Sequence, residues 1–300
     1  MARPLHLITI SVTVALSAYL GPLLLSHFIP SQFIQHHLTN VDLSFLLAPV
    51  LSIFRTPLTT DQRCPEHTYT THLISLDPLL IYISNFVSQS ESQSLIELSS
   101  PLMEPSPIVS RGSDSAGSQA RTSWSAPLPE DSGLVNCILS RSSSFLGTLL
   151  SPGRDEMGPA QVVRYTDSQK FDLHTDWFSR PRITDEDRET GRRRLYNRVA
   201  TFFVVLQSNV TEGSGETWFP KVKPITPHPT GTTAEGGRVW REHENGGLAF
   251  KPIPRNAIFW VNLMPNGTGD ARTVHAGLSV KGGVKTGMNI WPRVFFGPDA

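Results

Sequence analysis

Cysteine is scarce in this chain: Cys64 and Cys137 are the two thiols among 300 residues. That excludes a disulfide-stapled scaffold, and the pair does not have the spacing of a zinc site. A single bridge in an oxidising compartment and two free thiols both fit the sequence. Net charge is lacking too, with 26 basic against 26 acidic side chains. No long-range field would hold the chain on nucleic acid or an anionic surface, and Arg192-Arg193-Arg194 reads as a solvated loop. Charged residues of either sign are missing between His6 and Val41. Within that gap residues 7–25 are mostly apolar behind a lone Arg3, close to the roughly 20 residues that span a bilayer.

What is present at the N-terminus therefore reads as a signal-anchor over residues 1–25, with a cleaved signal peptide as the competing reading. The flanking cation puts the N-terminus in the cytosol and the body in the lumen. The expected location is the endoplasmic reticulum membrane, with secretion as the alternative. Two sequons, Asn209-Val210-Thr211 and Asn266-Gly267-Thr268, favour a glycoprotein of the secretory pathway. Residues 26–72 read as a stem, with a further apolar patch at 43–54 that is too short and too interrupted by Pro49 for a second span.

The folded domain is expected over residues 73–300. Leu79-Leu80-Ile81-Tyr82-Ile83 reads as a short buried strand. Residues 88–98 read as a helix capped by Ser88, with Glu91 three residues on. Residues 134–150 carry a second helical pattern, and 110–119 a Ser/Gly-rich loop. Beyond 160 the texture is β-rich, with strands expected at 161–165, 200–207, 248–251, 257–262, 273–280 and 288–294. Short strands at irregular spacing point to an all-β sandwich or barrel with flanking helices. Residues 220–247, rich in Pro, Gly and Thr, read as a surface insertion.

His174-Thr175-Asp176 sets an imidazole and a carboxylate two residues apart. On extended chain both point to one face. His275, on a later strand, is the natural third donor. Two histidines and one carboxylate on one side of a metal leave the other positions open, as non-haem iron(II) oxygenases require. The pair alone also fits a surface contact or a zinc hydrolase. Lys285 shifts that balance. It follows His275 by ten residues, with Lys281-Gly282-Gly283 as a turn between them, which predicts two neighbouring strands of one hairpin. A lysine buried beside a metal is costly without an anion. A dicarboxylate that chelates the metal at one end and pairs with the ammonium at the other supplies that anion.

The surrounding segments resemble the catalytic domain of the prolyl 4-hydroxylases. The stretch Gln161 to Tyr165, then Gln169 to Phe178 around His174 and Asp176, is similar to the family's metal-site segment. Asn197-Arg198-Val199-Ala200-Thr201 resembles its next core strand, and Ser214-Gly215-Glu216-Thr217-Trp218-Phe219-Pro220 its Gly-Gly-Glu-Thr-x-Phe-Pro signature. His275-Ala276-Gly277-Leu278-Ser279-Val280 through Lys285 to Trp291 resembles its closing segment, and the likeness spans about residues 73–296. The chain departs at Ser214, where the signature has Gly, and at Ser279, where it has Pro.

The resemblance implies a double-stranded β-helix, or jelly roll, with helices on the larger sheet. It implies iron(II) held by His174, Asp176 and His275, and 2-oxoglutarate held by Lys285, Tyr165 and Thr217, with Trp291 near that pocket. The implied reaction is 4-hydroxylation of peptidyl proline with release of succinate and carbon dioxide, with ascorbate among the cofactors and a proline-containing peptide or protein as partner. Oxidation of a small molecule or another residue is the runner-up, and a silent lumenal binding protein the third reading. The oligomeric state is not implied.

Overall fold

The structure, a computed structural model, describes residues 64–106, 121–225 and 237–300. The expected anchor, most of the stem, the patch at 43–54 and the loop at 110–119 lie outside the described residues. Among the described residues no helix is long and apolar enough to cross a membrane.

The described chain is mainly β with few helices. In chain order the first elements are β1 (Thr70–Leu76), β2 (Leu79–Ser84), α1 (Gln89–Ser99), β3 (Glu104–Pro105), β4 (Trp124–Pro127) and α2 (Gly133–Leu146). Next come β5 (Glu156–Met157), β6 (Gln161–Tyr165), β7 (Phe171–His174), α3 (Asp185–Thr190), β8 (Leu195–Arg198) and β9 (Ala200–Ser208). The last are β10 (Thr217–Phe219), β11 (Trp240–Glu242), β12 (Leu248–Phe250), β13 (Ala257–Val261), β14 (His275–Gly277), β15 (Lys285–Ile290) and β16 (Pro292–Phe296). They form an eight-stranded sheet in the order β1-β2-β13-β9-β15-β6-β4-β3, a five-stranded sheet β11-β12-β10-β14-β7, and a three-stranded sheet β5-β16-β8.

The large sheet is buried on both faces, which is why β9 reads as the unbroken apolar run Phe202 to Leu206 rather than as an alternation. Phe202 and Val204 turn one way, packing with Phe259, Met288 and Ile290 against Leu95 of α1 and Val135 and Ile138 of α2. Phe203 and Val205 turn the other way, packing with Tyr82, Val163 and Trp260 against Phe219, Trp240 and Phe250 of the smaller sheet. Two sheets therefore share one apolar interior, and the functional side chains sit within it.

The helix at 88–98 begins as its cap predicts. Ser88 Oγ accepts from the Glu91 amide at 3.1 Å, and Glu91 Oε2 accepts from the Ser88 amide at 2.7 Å. Arg141 of α2 then donates to Glu91 at 2.7 Å, locking the two helices together. Cys64 and Cys137 are joined as a disulfide, which closes a 73-residue separation and fixes the start of the described chain to α2.

Three expectations are corrected. His275 and Lys285 are not neighbours in one hairpin: β14 lies in the five-stranded sheet and β15 in the eight-stranded one, so residues 278–284 cross between sheets. The expected strand at 288–294 is two strands of different sheets, β15 and β16, with the break at Trp291 before Pro292. Residues 220–247 are not surface throughout, because Val222, Val239 and Trp240 are buried and their apolar side chains complete the inter-sheet core; residues 226–236 lie outside the description.

Candidate active site

His174 ends β7 and His275 begins β14, and the two stand directly opposite each other in the antiparallel register. Asp176 follows two residues beyond β7 and is buried. Its Oδ1 lies 3.7 Å from His174 Nε2 and 3.9 Å from His275 Nε2. The three donor atoms all lie within 4.8 Å of one another, in an arrangement that could hold a metal ion.

Each donor is aimed by a second contact. His174 Nδ1 donates to the Asp172 carbonyl at 2.8 Å, and His275 Nδ1 to the Thr273 carbonyl at 3.0 Å. A carbonyl only accepts, so the proton sits on Nδ1 and the Nε2 lone pair faces the centre. Asp176 Oδ2 accepts from Thr201 Oγ1 at 2.8 Å and from Trp291 Nε1 at 3.0 Å, leaving Oδ1 toward the histidines. Asn262 Nδ2 in turn donates to Thr201 Oγ1 at 2.8 Å. The arginine of the Asn197-Arg198 pair stacks over Trp291 at 3.7 Å.

The electrostatics favour the metal-binding protonation states. Burial, and then the neighbouring charge of His275, hold the His174 imidazole well below its ordinary pKa. Burial alone would raise Asp176, but His275, His174, Arg198 and the Trp291 hydrogen bond together hold it below the usual carboxylate range. A neutral His174 imidazole beside an ionised Asp176 carboxylate is what a divalent cation needs. A donor set of two imidazoles and one carboxylate, with no thiolate, fits iron(II).

A second polar cluster lies between the sheets. Lys285 is buried and is the cross-strand partner of Tyr165. Its Nζ donates to Thr217 Oγ1 at 3.3 Å and lies 4.9 Å from the Phe203 ring centre. Burial pushes the Lys285 pKa down to about 7, with Glu216 opposing. Burial also pushes the Tyr165 phenol up. Among the described residues no carboxylate pairs with Lys285. Thr217 is registered against Gly277, two residues along β14 from His275, about 7 Å of strand rise, so the residue that accepts from Lys285 and the metal donor share one pair of neighbouring strands.

The structure thus brings His174, Asp176 and His275 into one cluster and Lys285, Tyr165 and Thr217 into another. Sequence reasoning missed Thr201 and Asn262. Their one signal was polarity within or just past otherwise apolar strands, which marks a buried hydrogen bond without saying to what. The site also depends on two glycines. A Cβ on Gly269 would lie 2.1 Å from the Trp177 ring, next to Asp176 in sequence. Gly215 takes φ 63°, whereas Ser214 before it needs no such freedom; its Oγ donates to the Thr211 carbonyl at 2.8 Å and accepts from the Lys281 amide at 3.1 Å. That is why serine is tolerated at the first signature position.

Comparison with known proteins gives a consistent set of relatives. No family model matches the chain. Prolyl 4-hydroxylase 13 of Arabidopsis thaliana is 30% identical over 224 residues, covering 74% of this chain and 73% of that one. Prolyl 4-hydroxylase subunit alpha-3 of Homo sapiens is 30% identical over 222 residues, covering 73% of this chain and 34% of that one. Among solved structures, the viral collagen prolyl hydroxylase of Paramecium Bursaria Chlorella virus-1, in its 2OG complex, is 23% identical, covers 72% of this chain and 96% of that one, and has a TM-score of 0.49.

Proposed function

The chain belongs to the prolyl 4-hydroxylase family, and on that premise we propose that it hydroxylates C4 of proline within a peptide, using iron(II) and 2-oxoglutarate. The observation that carries this reading is the coexistence of the His174–Asp176–His275 cluster with a buried Lys285 that pairs with no carboxylate among the described residues and bonds Thr217, on the strand beside β14. A metal hydrolase needs the first and has no use for the second. A five-carbon dicarboxylate uses both.

In this reading His174, Asp176 and His275 hold the metal and leave the opposite positions open. The Lys285 ammonium pairs with the distal carboxylate of the co-substrate, with Thr217, its hydrogen-bond partner, and Tyr165, its cross-strand neighbour, beside it. Thr201 and Trp291 keep the Asp176 carboxylate from rotating. The aromatic lining from Phe219 and Trp260, whose ring centres lie 5.3 and 4.8 Å from His275, excludes water. When bound, iron(II) and 2-oxoglutarate supply the oxidising chemistry, with dioxygen consumed and succinate and carbon dioxide released. The facing eight- and five-stranded sheets fit a double-stranded β-helix.

The body is assigned to the lumen of the endoplasmic reticulum, tethered by residues 1–25. The Cys64–Cys137 disulfide supports an oxidising compartment. Asn266 supports glycosylation: it is exposed, and its Oδ1 accepts from the Thr268 amide at 3.0 Å and hydroxyl at 2.7 Å.

The test is succinate release from the lumenal body given iron(II), ascorbate and 2-oxoglutarate, against proline-rich peptides and small molecules, with His174→Ala as control. A 16 Da gain on proline, absent in the control, is expected. Turnover confined to a non-peptide substrate would overturn the peptide assignment.

A further inference from the structure

The lysine end of the site has a neighbour that the co-substrate reading does not use. Glu216 directly precedes Thr217, the residue that accepts from Lys285, and follows Gly215, whose Cβ position lies 3.6 Å from Lys285 Cδ. It is 1% exposed. Both its oxygens are taken by one side chain: Arg241 Nε donates to Oε1 at 3.0 Å and Nη2 to Oε2 at 2.5 Å. Arg241 lies on β11, at the far side of residues 220–247, and its side chain is 42% exposed. The acid whose field reaches Lys285 is Glu216.

These positions set a charge balance. A buried ammonium and a buried carboxylate on adjoining chain would cancel, and the pocket would lose its attraction for an incoming anion. A guanidinium that grips the carboxylate at two points restores one net positive charge and keeps that carboxylate turned to itself. Glu244, which also lies near Arg241, is exposed and screened by water.

We propose that Arg241 is a positioning residue for the co-substrate: by neutralising Glu216 it leaves the Lys285 ammonium uncompensated for the distal carboxylate of 2-oxoglutarate. This rests on the co-substrate reading above. It gives β11, near the C-terminal end of the 220–247 segment, a task in the site. The competing view is that the Arg241–Glu216 pair merely staples β11 to the signature loop.

The two views part in a charge cycle. The full chain, loaded with iron(II) without oxygen, is titrated with 2-oxoglutarate by calorimetry, and far-UV circular dichroism and iron(II) affinity are recorded for each variant. Arg241→Gln should raise the dissociation constant about tenfold, as expected for one unit charge at this range, with iron(II) affinity unchanged. Glu216→Gln in the same background should bring it back to within about threefold of the parent, although the staple is gone. Arg241→Lys, which keeps the charge and loses the fork, should also stay within about threefold. If Arg241→Gln folds poorly, the double variant and Arg241→Lys carry the comparison. A double variant as weak as Arg241→Gln, or an Arg241→Gln that binds like the parent, overturns the proposal. A parent chain that binds iron(II) but not 2-oxoglutarate overturns the co-substrate reading itself.

Discussion

The two ends of the site are built on opposite plans. At the metal end every donor has a second partner: a carbonyl behind each imidazole, and a hydroxyl and an indole on the far oxygen of Asp176. At the other end a buried ammonium has a hydroxyl at 3.3 Å and aromatic faces, with its nearest acid held by Arg241. The first end has its donors aimed before anything binds. The second carries an unpaid desolvation cost that an anion removes. The metal end is thus preorganised, while the lysine end stores selectivity, since a ligand lacking the second carboxylate leaves that cost in place.

Removing a ligand from the preorganised end has the largest effect. Asp176→Ala should abolish succinate release and iron retention. It also orphans the Thr201 hydroxyl and the Trp291 indole, at about 1–3 kcal/mol each, so urea unfolding of the metal-free protein should shift to lower denaturant. Lys285→Met should act with the opposite sign on stability. It removes a buried charge, so the unliganded protein should gain roughly 1–3 kcal/mol, while 2-oxoglutarate affinity drops on the order of 100-fold. Unfolding curves for the two variants that moved in the same direction would break the contrast.

A subtler change tests whether the second contacts matter. Thr201→Val and Trp291→Phe keep the ligands and remove one hydrogen bond each to Asp176. Each should weaken iron(II) binding about 10–100-fold, with the constant for 2-oxoglutarate on the loaded protein nearly unchanged. Titration against a competing chelator reads the first, and calorimetry the second.

The sequence made the metal end partly legible and the lysine end legible only by analogy to charge. His174 and Asp176 stood out because two donors two residues apart need no knowledge of the fold. His275 and Lys285 were found as residues but misplaced as a pair: ten residues with a Gly-Gly turn look like a hairpin, and nothing local reveals that the turn changes sheets. The capping box at Ser88 and Glu91 was readable because it lies within four residues. The pairing of Thr201 with Asp176, or of Arg241 with Glu216, joins positions 25 apart in each case, through register that a linear pattern does not encode. The same limit explains residues 220–247, whose polar composition hid the buried Val239 and Trp240.

The smallest effect, and the one that separates the two ends most cleanly, is in the pH dependence. Burial holds Lys285 at about 7 against an ordinary 10.5. Between those values the unfolded chain binds a proton that the native chain lacks, so this group makes the unliganded protein more stable as pH rises from about 7 toward 10.5. Below that window both states are protonated and the slope vanishes. Binding runs the other way. The distal carboxylate needs the ammonium, so above about pH 7 affinity for 2-oxoglutarate should fall, by at most about tenfold per unit, with one proton taken up per molecule bound. Calorimetry at pH 8 in two buffers of different ionisation enthalpy measures that uptake, and unfolding at pH 7, 8 and 9 measures the opposing slope. Lys285→Met should flatten both, whereas Trp291→Phe should leave both in place; a proton uptake that survives Lys285→Met would place the titrating group elsewhere.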